Sequence, residues 1–550
     1  MTRVRRLLIG ALLATSAACS STPSTSKENS ATPTFLGTSP TSPAGTSRFL
    51  ERLACRLPRD QLLRTWRGYH PQRSADLLLI AKEPNVLGTW FPHSGPWDYL
   101  QRVPMFWYGP GQVSGRGRVG PRVTMADVAP TMAEYLGFDF DAPDGAPMRE
   151  ALRSEARPQA PRLIVVMVWD GGGRNVLSEH PRDWPVLRSL IPKGVWYENA
   201  EVGSSPSLTP AVHTTLGTGA FPRRHGVVDA RLEFRGKLAR PESTWPEVLP
   251  LPTLADLYDR ALGNRPLVGV VAALNWHLGM AGHGSFLHGG DRDIVALQLK
   301  TNWGVRGDIA KFFRAPSYVT SMAGFDEIRA RIDREDGVID DSWFANRFVD
   351  GSNVLLKKTT IEWQTRLIDK IVTREGFGDD RVPDLLFVNY KEIDTVSHSA
   401  SMNSPDMGAM VRGTDAALED LIALLNREVG RGRWVLLVTA DHGATPHPKA
   451  SGGLFMQPKV VADDLRAAVD DDDGRRLALV TRPTQMWIDT EELRSGGFTL
   501  RDAARFLSLY TKGQYVANPA KLSAAERQER LFSVAIPGPL LERLPCLPRS

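Results

Sequence analysis

The stretch LIVVMVWD, residues 163–170, decides the fold, because seven apolar residues run directly into one aspartate. A short, continuous apolar run rich in Val and Ile is typical of a strand buried on both faces of a parallel sheet. Similar runs occur at residues 75–81, 267–273, 384–390 and 434–440. The sequence therefore predicts a sheet with several buried strands.

Helical patterns separate these runs, at residues 125–136, 253–262, 359–373 and 407–428. Alternation of buried strands and helices predicts an α/β fold, a doubly wound and mostly parallel sheet with helices on both faces. The motif Gly115-x-Gly117-x-x-Gly120 matches a dinucleotide-binding pattern by letter, but Pro121 follows it and no helix opens there. We interpret that motif as a surface loop.

Metal-ligand residues follow three of the predicted strands. Asp170 and the pair Asp441-His442 come directly after their strands, and Asp394 with His398 lies a few residues beyond another. Ligands of such sheets gather outside the carboxyl ends of the strands, so these side chains are expected to meet. Carboxylates mixed with imidazoles favour a pair of divalent ions, with Zn²⁺ the best match and other divalent ions as alternatives.

Thr209 precedes Pro210 and a helical pattern, which places it at a helix N-terminus. Such an end can bind a phosphoryl group through its free N–H groups. A threonine hydroxyl near two metal sites suggests a metal-activated nucleophile. A simple helix cap is the alternative for a lone threonine at this position.

These motifs together resemble the alkaline phosphatase superfamily, and within it the nucleotide pyrophosphatase/phosphodiesterase-like branch. The resemblance rests on Asp170 after its strand, residues 209–226 (TPAVHTTLGTGAFPRRHG), Asp394-x-x-x-His398 and Asp441-His442-Gly443, in this order. It implies that Thr209 forms a covalent phospho-enzyme. It also implies that Asp170, Asp441, His442 and Thr209 hold one zinc, and that Asp394 and His398 hold the second.

The family needs one more histidine at the second zinc, normally well downstream of Asp441-His442. Only His447 follows, five residues later and flanked by prolines. Residues 93–111 (HSGPWDYLQRVPMFWYGPG) are instead similar to the closing segment of the family. We therefore predict a circularly permuted chain with His93 as the missing ligand. His93 as a surface residue and His447 as the ligand are the rival interpretations.

Substrate preference depends on residues 273–283 (ALNWHLGMAGH). The monoesterase branch has a Lys-x-Arg pair before the Ala-Gly-His segment, whereas this stretch has no Lys or Arg. Fewer cationic contacts weaken binding of a dianion most, which favours phosphodiesters, pyrophosphates or nucleotide-type substrates. Asn275, His277 and His283 are possible substrate contacts or structural residues. The alternatives are a phosphomonoesterase, a sulfatase-type hydrolase and a non-catalytic envelope lipoprotein. The stretch Ser207-Leu-Thr-Pro does not supply the motif that a sulfatase-type hydrolase needs.

The N-terminus has the pattern of an export signal. Arg3, Arg5 and Arg6 precede a short apolar run, and Ser16-Ala17-Ala18 stand directly before Cys19. Residues 1–19 resemble a bacterial lipoprotein signal with lipid on Cys19, and secretion after cleavage near Ala18 is the alternative. The protein is then exported, either lipid-anchored outside the cytoplasm or secreted. In that setting Cys55 and Cys546 can form a disulfide, with two free thiols as the alternative.

Composition limits the remaining possibilities. A net charge of +5 over 550 residues is too small to predict specific nucleic-acid binding. Residues 20–47 are rich in Ser, Thr and Pro and predict an extended tether. Residues 48–550 are then one catalytic domain. Its predicted parts are the permuted closing segment 48–157, the main metal-site segments 158–460, a possible lid insert 284–353, and a remaining strand, helices and junction at 454–550.

Overall fold

The computed structural model describes residues 43–152, 160–299, 303–321, 323–335, 337–343, 346–350, 353–354, 357–469 and 477–548. The predicted export signal, Cys19 and most of the predicted tether lie outside the described residues. The helix Pro43–Ala54 begins inside the predicted tether 20–47, which corrects that boundary. Its Leu50 and Ala54 are buried against the small sheet described below, and this packing supports the helix.

A large mixed sheet forms the centre of the molecule. Its middle strand, Leu163–Trp169, pairs in parallel with Asp384–Tyr390 on one side and with Trp434–Thr439 on the other. In spatial order the strands are Trp303–Gly304, Asp293–Gln298, Val268–Ala272, Asp384–Tyr390, Leu163–Trp169, Trp434–Thr439, Met105–Tyr108, Val195–Glu201 and Gly117–Thr124, with Phe313–Arg314 beside Asp293–Gln298.

Antiparallel pairs interrupt the parallel pattern at three places. Met105–Tyr108 runs antiparallel to both of its neighbours, Trp434–Thr439 and Val195–Glu201. Trp303–Gly304 is antiparallel to Asp293–Gln298 at the other end of the sheet. The remaining pairs are parallel, so the predicted mostly parallel α/β sheet is confirmed.

Helices cover both faces of this sheet and complete two separate hydrophobic cores. Alternate residues of Leu163–Trp169 point into one core or the other: Val165 and Met167 into the first, Ile164 and Val166 into the second. The longer helices are Pro43–Ala54, Arg59–Arg67, Val128–Leu136, Arg174–Glu179, Pro185–Leu190, Thr209–Thr218, Leu254–Ala261, Phe325–Ile332, Lys358–Glu375, Glu392–Ala400, Pro405–Leu425, Pro458–Val469, Thr490–Ser495 and Leu500–Leu509.

A second, four-stranded antiparallel sheet joins the two ends of the chain. Leu77–Ala81 pairs with Phe532–Pro537 and with Gln485–Ile488, and Ala478–Thr481 completes the sheet. This corrects the assignment of residues 75–81 to the parallel sheet. An apolar run shows that a strand is buried but does not show which sheet contains it.

The two cysteines near the ends of the globular chain form a disulfide in the structure. Cys55 and Cys546 lie 5.8 Å apart between Cα atoms and are 491 positions apart in sequence. Cys55 and Leu547 also pack against the core of the small sheet. The bond therefore ties the N-terminal and C-terminal segments together beside the strands that they contribute.

Two further expectations need correction. The segment 284–353 is not a separate lid, because Asp293–Gln298 and Phe313–Arg314 extend the central sheet and Trp303, Ile328 and Trp343 belong to its core. The strand DIVALQ is buried along most of its length and so lacks the periodicity that would have marked it. Residues 117–124 form an exposed edge strand rather than a loop.

Among the described residues, no helix is long and apolar enough to cross a membrane.

Candidate metal-dependent active site

Three strands deliver the acidic residues to one edge of the central sheet. Asp170 directly follows Leu163–Trp169, and Asp441 lies two residues beyond the end of Trp434–Thr439. Asp394 lies in the first turn of the helix Glu392–Ala400, which follows the strand Asp384–Tyr390. All three side chains are buried. The sequence prediction that these carboxylates meet at the carboxyl edge agrees with their positions.

Backbone hydrogen bonds hold these three segments in register. The Asp170 N–H donates to the Tyr390 carbonyl, and the Asp394 N–H donates to the Asp170 carbonyl, each at 3.0 Å. The Gly171 N–H donates to Asp441 Oδ1 at 3.0 Å. Gly171 has a φ of +73°, and a Cβ atom there would lie 2.9 Å from the Asp394 Cα. Glycine is needed at this position both for its backbone conformation and for the close approach.

Thr209 lies at the N-terminal end of the helix Thr209–Thr218. Leu208 occupies the N-cap position, and no side chain caps this helix end. The Thr209 hydroxyl oxygen instead accepts a hydrogen bond of 3.0 Å from Lys391 Nζ. The hydroxyl therefore lies beside the lysine that contacts Asp170 and Asp394, and it does not cap its own helix.

One group of potential metal ligands consists of Asp170, Asp441 and His442. Their ligand atoms lie within 4.8 Å of one another, and all three residues are buried. His442 Nε2 is 3.3 Å from Asp441 Oδ2 and 3.6 Å from Asp170 Oδ1. This is the set that the family resemblance implies for the zinc nearest Thr209.

A second group surrounds Asp394 Oδ1. His93 Nε2 lies 3.2 Å from this oxygen, and His398 Nε2 lies 3.5 Å from it. The His93 ring stacks on His442 with 3.6 Å between ring centroids and lies 4.8 Å from the ring of His398. His93 Nδ1 contacts the Ser207 carbonyl at 3.2 Å, which fixes the ring orientation. A residue from the N-terminal segment thus completes the cluster.

His447 occupies a different place. Its Nδ1 accepts a hydrogen bond from the Lys449 N–H and caps the short helix Pro448–Ser451. Its ring packs against Phe91 at 5.6 Å. The structure gives His447 a capping role and places His93, not His447, beside Asp394.

The buried donors fit divalent metal ions. Asp394 Oδ1, Asp441 Oδ2 and His442 Nε2 are buried and have no hydrogen-bond partner among the described residues. Buried polar atoms without partners are costly, and divalent cations beside them would satisfy all three. Burial and the neighbouring His442 hold the pKa of His93 well below its usual range, which favours its neutral imidazole. Neutral imidazoles and carboxylates are the donors that zinc prefers.

Lys391 belongs to the site, although no sequence motif marks it. Its Nζ atom is 2.7 Å from Asp170 Oδ1 and 2.8 Å from Asp394 Oδ2. Burial disfavours its ammonium form, but the carboxylates of Asp170, Asp394 and Asp441 outweigh that effect and raise the pKa of Lys391. The available signal was its position directly after a buried strand and three residues before a predicted ligand.

Two further buried residues, Asn389 and His213, orient Asp170 and Thr209, and no sequence motif marks either of them. Asn389 Nδ2 donates to Asp170 Oδ2 at 3.0 Å and lies 3.1 Å from His213 Nε2. His213 Nδ1 contacts the Thr209 carbonyl at 2.8 Å, one helical turn away. Burial lowers the pKa of His213 to about 4, so its ring is neutral at pH 7. The helix that carries Thr209 is thereby linked to the strand that precedes Lys391.

The three possible substrate contacts have separate roles. His277 Nε2 lies 3.2 Å from Asp170 Oδ2 and supports that carboxylate. His283 contacts Asp256 at 2.7 Å and the Leu249 carbonyl at 2.9 Å, and the Asn275 amide donates to the Glu242 carbonyl. His283 and Asn275 are thus engaged in structural hydrogen bonds, whereas His277 touches a ligand residue.

A cavity of about 460 Å³ opens beside the second ligand group. His93 and His398 form part of its wall, together with the apolar residues Leu208, Pro483 and Trp90. The Trp90 side chain is highly exposed, at 75%. The cavity wall thus combines apolar surface with polar side chains, among them Thr481 and Arg482.

The fold and this donor set define a class. The crystal structure of wild-type alkaline phosphatase PafA matches with a TM-score of 0.51 at 18% identity, covering 64% of this chain and 76% of that chain. The chain therefore shares the fold of that alkaline phosphatase. A family model described as type I phosphodiesterase / nucleotide pyrophosphatase matches residues 164–538, and the chain belongs to this family.

Curated relatives match shorter parts of the chain. Identity is 30% over 186 residues to alkaline phosphatase PafA of Elizabethkingia meningoseptica, covering 32% of this chain and 33% of that protein. It is 28% over 128 residues to alkaline phosphatase PhoV of Synechococcus elongatus, covering 22% and 23%. The matches span between about a fifth and a third of the length of the curated relatives.

Proposed function

We propose that the protein is a zinc-dependent hydrolase of phosphodiesters or pyrophosphates that works through a covalent phospho-threonine at Thr209. The observation that carries the proposal is the convergence of Thr209 Oγ1, three buried carboxylates and three histidines at one edge of the sheet. Family membership supports phosphoric ester hydrolysis in general. The nucleophile, the metal and the diester preference are inferred from the residues.

Two divalent ions would be held by two sets of residues. Asp170, Asp441, His442 and Thr209 would hold one, and Asp394, His398 and His93 the other. Ions there supply Lewis-acid chemistry that polarises phosphoryl oxygens and makes oxygen nucleophiles effective near neutral pH. Three carboxylates within a few ångströms give the site the negative charge that retains such ions.

Thr209 performs the transfer in two steps. In the first, a bond forms from its Oγ1 to phosphorus while the bond from phosphorus to the leaving oxygen breaks. The leaving oxygen takes up one proton, which balances the proton lost by the hydroxyl. In the second step, water forms a new bond to phosphorus, the bond to Oγ1 breaks and the hydroxyl is restored. The helix N-terminus at Thr209 favours the anionic group throughout.

A diester or pyrophosphate fits the surroundings better than a monoester. The cavity beside His93 and His398 can take the second organic group, and Trp90 offers an aromatic face to it. Residues 273–283 contain no Lys or Arg to bind a further phosphate charge. The alkaline phosphatases among the relatives keep phosphomonoesters as the second candidate.

A sulfatase-type reaction is disfavoured by the position of the serine that it would need. Ser207 Oγ donates to the His93 carbonyl at 2.9 Å and is buried in the loop before the helix. The hydroxyl that contacts the buried lysine is that of Thr209. A non-catalytic role is disfavoured by the complete set of ligand residues.

The test combines metal analysis with two model substrates. Purified protein should contain about two zinc ions per chain and hydrolyse bis-p-nitrophenyl phosphate faster than p-nitrophenyl phosphate. Thr209→Ala should abolish both activities and the acid-stable phosphate label on the protein. Absence of bound transition metal, or full turnover by Thr209→Ala, would contradict the proposal. A reversed preference would favour the monoesterase.

The proposal includes export and a lipid anchor at Cys19. The arginine-rich start and the small residues before Cys19 support it, and a Cys55–Cys546 bond fits an oxidising compartment. In a bacterial host, metabolic labelling with a fatty acid should mark the wild type but not Cys19→Ser. Equal labelling of both proteins, or of neither, would reject the anchor.

Circular permutation is proposed for the same chain. It is supported by His93, which comes from a segment before the family match at residues 164–538, and by the strand pairing of Leu77–Ala81 with Phe532–Pro537. A chain that starts near residue 160, and carries residues 48–152 after residue 548 through a short linker, should fold and hydrolyse the same ester. Failure to fold, alongside a wild type prepared in parallel, would count against it.

A further inference from the structure

Lys391 is placed where it can act on the reacting oxygen. It is the N-cap residue of the helix Glu392–Ala400, and its side chain is only 8% exposed. Its Nζ atom lies 2.7 Å from Asp170 Oδ1, 2.8 Å from Asp394 Oδ2 and 3.0 Å from Thr209 Oγ1. An ammonium has three N–H donors, and these three oxygens can take all of them.

We propose that Lys391 is a catalytic residue, whose ammonium donates to Thr209 Oγ1 and stabilises negative charge on that oxygen while the bond to phosphorus forms and breaks. The inference rests on the proposed function, because it assumes that Thr209 is the nucleophile. The lysine transfers no proton in either step. It acts through a fixed hydrogen bond to the oxygen where charge develops.

The contacts of Asp394 leave room for metal ions beside the lysine. Oδ2 of Asp394 faces Lys391, whereas Oδ1 faces the histidines and has no hydrogen-bond partner among the described residues. The ammonium and an ion at the second ligand group would therefore use different oxygens of the same carboxylate.

Asp170 divides its oxygens in a similar way. Its Oδ2 accepts from Asn389 and lies beside His277, while Oδ1 accepts from Lys391. Oδ1 is also 3.6 Å from His442 Nε2, on the side of the first ligand group. A carboxylate oxygen has two lone pairs, so Oδ1 can accept from the ammonium and still coordinate an ion.

A purely structural role would be that of a counter-charge. The ammonium does offset buried carboxylates, and a buried carboxylate without its partner is costly. That role requires the contacts with Asp170 and Asp394 but not the third contact, to Thr209 Oγ1. The two roles also predict different outcomes for metal content, and this difference makes them separable.

The experiment compares Lys391→Met, Lys391→Arg and the surface control Lys459→Met, whose lysine is 85% exposed. The readouts are kcat on bis-p-nitrophenyl phosphate, zinc bound per chain after dialysis against limiting zinc, and melting temperature. We expect Lys391→Met to lower kcat by about 100-fold or more, as for loss of a charge-stabilising donor. Its zinc content should equal or exceed that of the wild type, because a positive charge has left the site.

The control and the arginine variant complete the prediction. Lys459→Met should match the wild type in all three readouts. Lys391→Arg keeps the positive charge, but the planar guanidinium of arginine cannot donate hydrogen bonds to the same three oxygens. It should retain wild-type zinc and lose about tenfold in kcat. If Lys391→Met does not fold, as judged by its melting curve, the arginine variant decides alone.

Three results would overturn the proposal: a kcat for Lys391→Met within threefold of the wild type, loss of zinc in proportion to the loss of turnover, or full kcat for Lys391→Arg. Failure of the proposed function looks different. A wild type without turnover, or an active Thr209→Ala, refutes Thr209 as nucleophile. With an active wild type and an inactive Thr209→Ala, the lysine variants report on Lys391 alone.

Discussion

His93 and His447 show how the surroundings of a residue, rather than its type, decide its chemistry. Both are histidines in loops, and both precede or follow prolines in the sequence. His93 is buried between Asp394 and His442, whereas His447 caps a helix against Phe91. The two histidines therefore form a natural pair of variant and control.

The first prediction concerns metal content. His93→Ala removes one imidazole from the second ligand group and should weaken zinc binding by at least about tenfold, with turnover falling in parallel. His447→Ala should leave both unchanged. Zinc titration followed by activity assay checks this. Equal zinc affinity in His93→Ala and the wild type would remove His93 from the ligand set.

Individual residues also show what the sequence could reveal. Asp170 and Asp441 follow recognisable buried strands, so their meeting at one edge was predictable. Lys391 was not predicted, because its position after a buried strand does not by itself show that the side chain faces inward. His213 was hidden in the same way, inside a helix whose residues are all buried.

At the scale of elements, the turn after Leu163–Trp169 positions two ligand segments at once. The second prediction compares Gly171 and Gly236, which have the same φ of +73°. A Cβ atom at Gly171 would press against Asp394, whereas a Cβ atom at Gly236 would have nothing within 4 Å. Both alanine variants incur backbone strain of about 1–3 kcal/mol. Only Gly171→Ala also forces Asp394 to move, so it alone should lose zinc and turnover.

Melting temperature, zinc content and kcat of the two glycine variants separate the effects. A similar drop in melting temperature for both, with loss of zinc only in Gly171→Ala, is the expected pattern. Retained zinc and turnover in Gly171→Ala would show that the turn can relax without disturbing Asp394.

The third prediction concerns pH and the helix Thr209–Thr218. His225 is buried, contacts Thr215 Oγ1 at 3.1 Å, and accepts from the Val227 N–H through Nδ1. Burial lowers the pKa of His225 to about 3. The folded state therefore favours the neutral ring. The neutral ring therefore stabilises the folded state fully above pH 6.5. As the pH falls from 6.5 towards 3, the free energy of unfolding decreases by about 1.4 kcal/mol per pH unit.

Comparison with His225→Asn isolates this effect from other groups. At pH 7 the variant should have a lower melting temperature and a lower free energy of unfolding than the wild type. The difference in the free energy of unfolding should be about 2 kcal/mol smaller at pH 5. Thermal melts at pH 7, 6 and 5 measure it. A difference that stays constant over this range would show that His225 does not remain neutral in the folded protein.

At the scale of the whole molecule, two sheets and one disulfide unite segments from opposite ends of the chain. The α/β class and the central strands were predictable from apolar runs alone. The second sheet was not, because Leu77–Ala81 and Phe532–Pro537 pair across more than 450 residues. Sequence patterns report local burial, and they carry no information on which distant strands pair.

The fourth prediction concerns the disulfide between positions 491 apart. The chain-entropy relation gives about 6 kcal/mol for a loop of this size, although measured disulfides contribute about 2–4 kcal/mol. For a chain of this length, reduction should lower the melting temperature by about 2–4 °C. The variant Cys55→Ala/Cys546→Ala should melt at the lower temperature and show no response to reductant. If reductant lowers the melting temperature of the wild type and the variant equally, the change does not come from the Cys55–Cys546 bond.

The position of His93 has a consequence for the newly made chain. His93 is synthesised some 300 residues before its neighbours Asp394, His398 and His442. A polypeptide that stops before residue 442 would lack His442, one of the proposed metal ligands. If the two proposed ligand sets hold metal, residue 442 must therefore be synthesised before both sets can be complete.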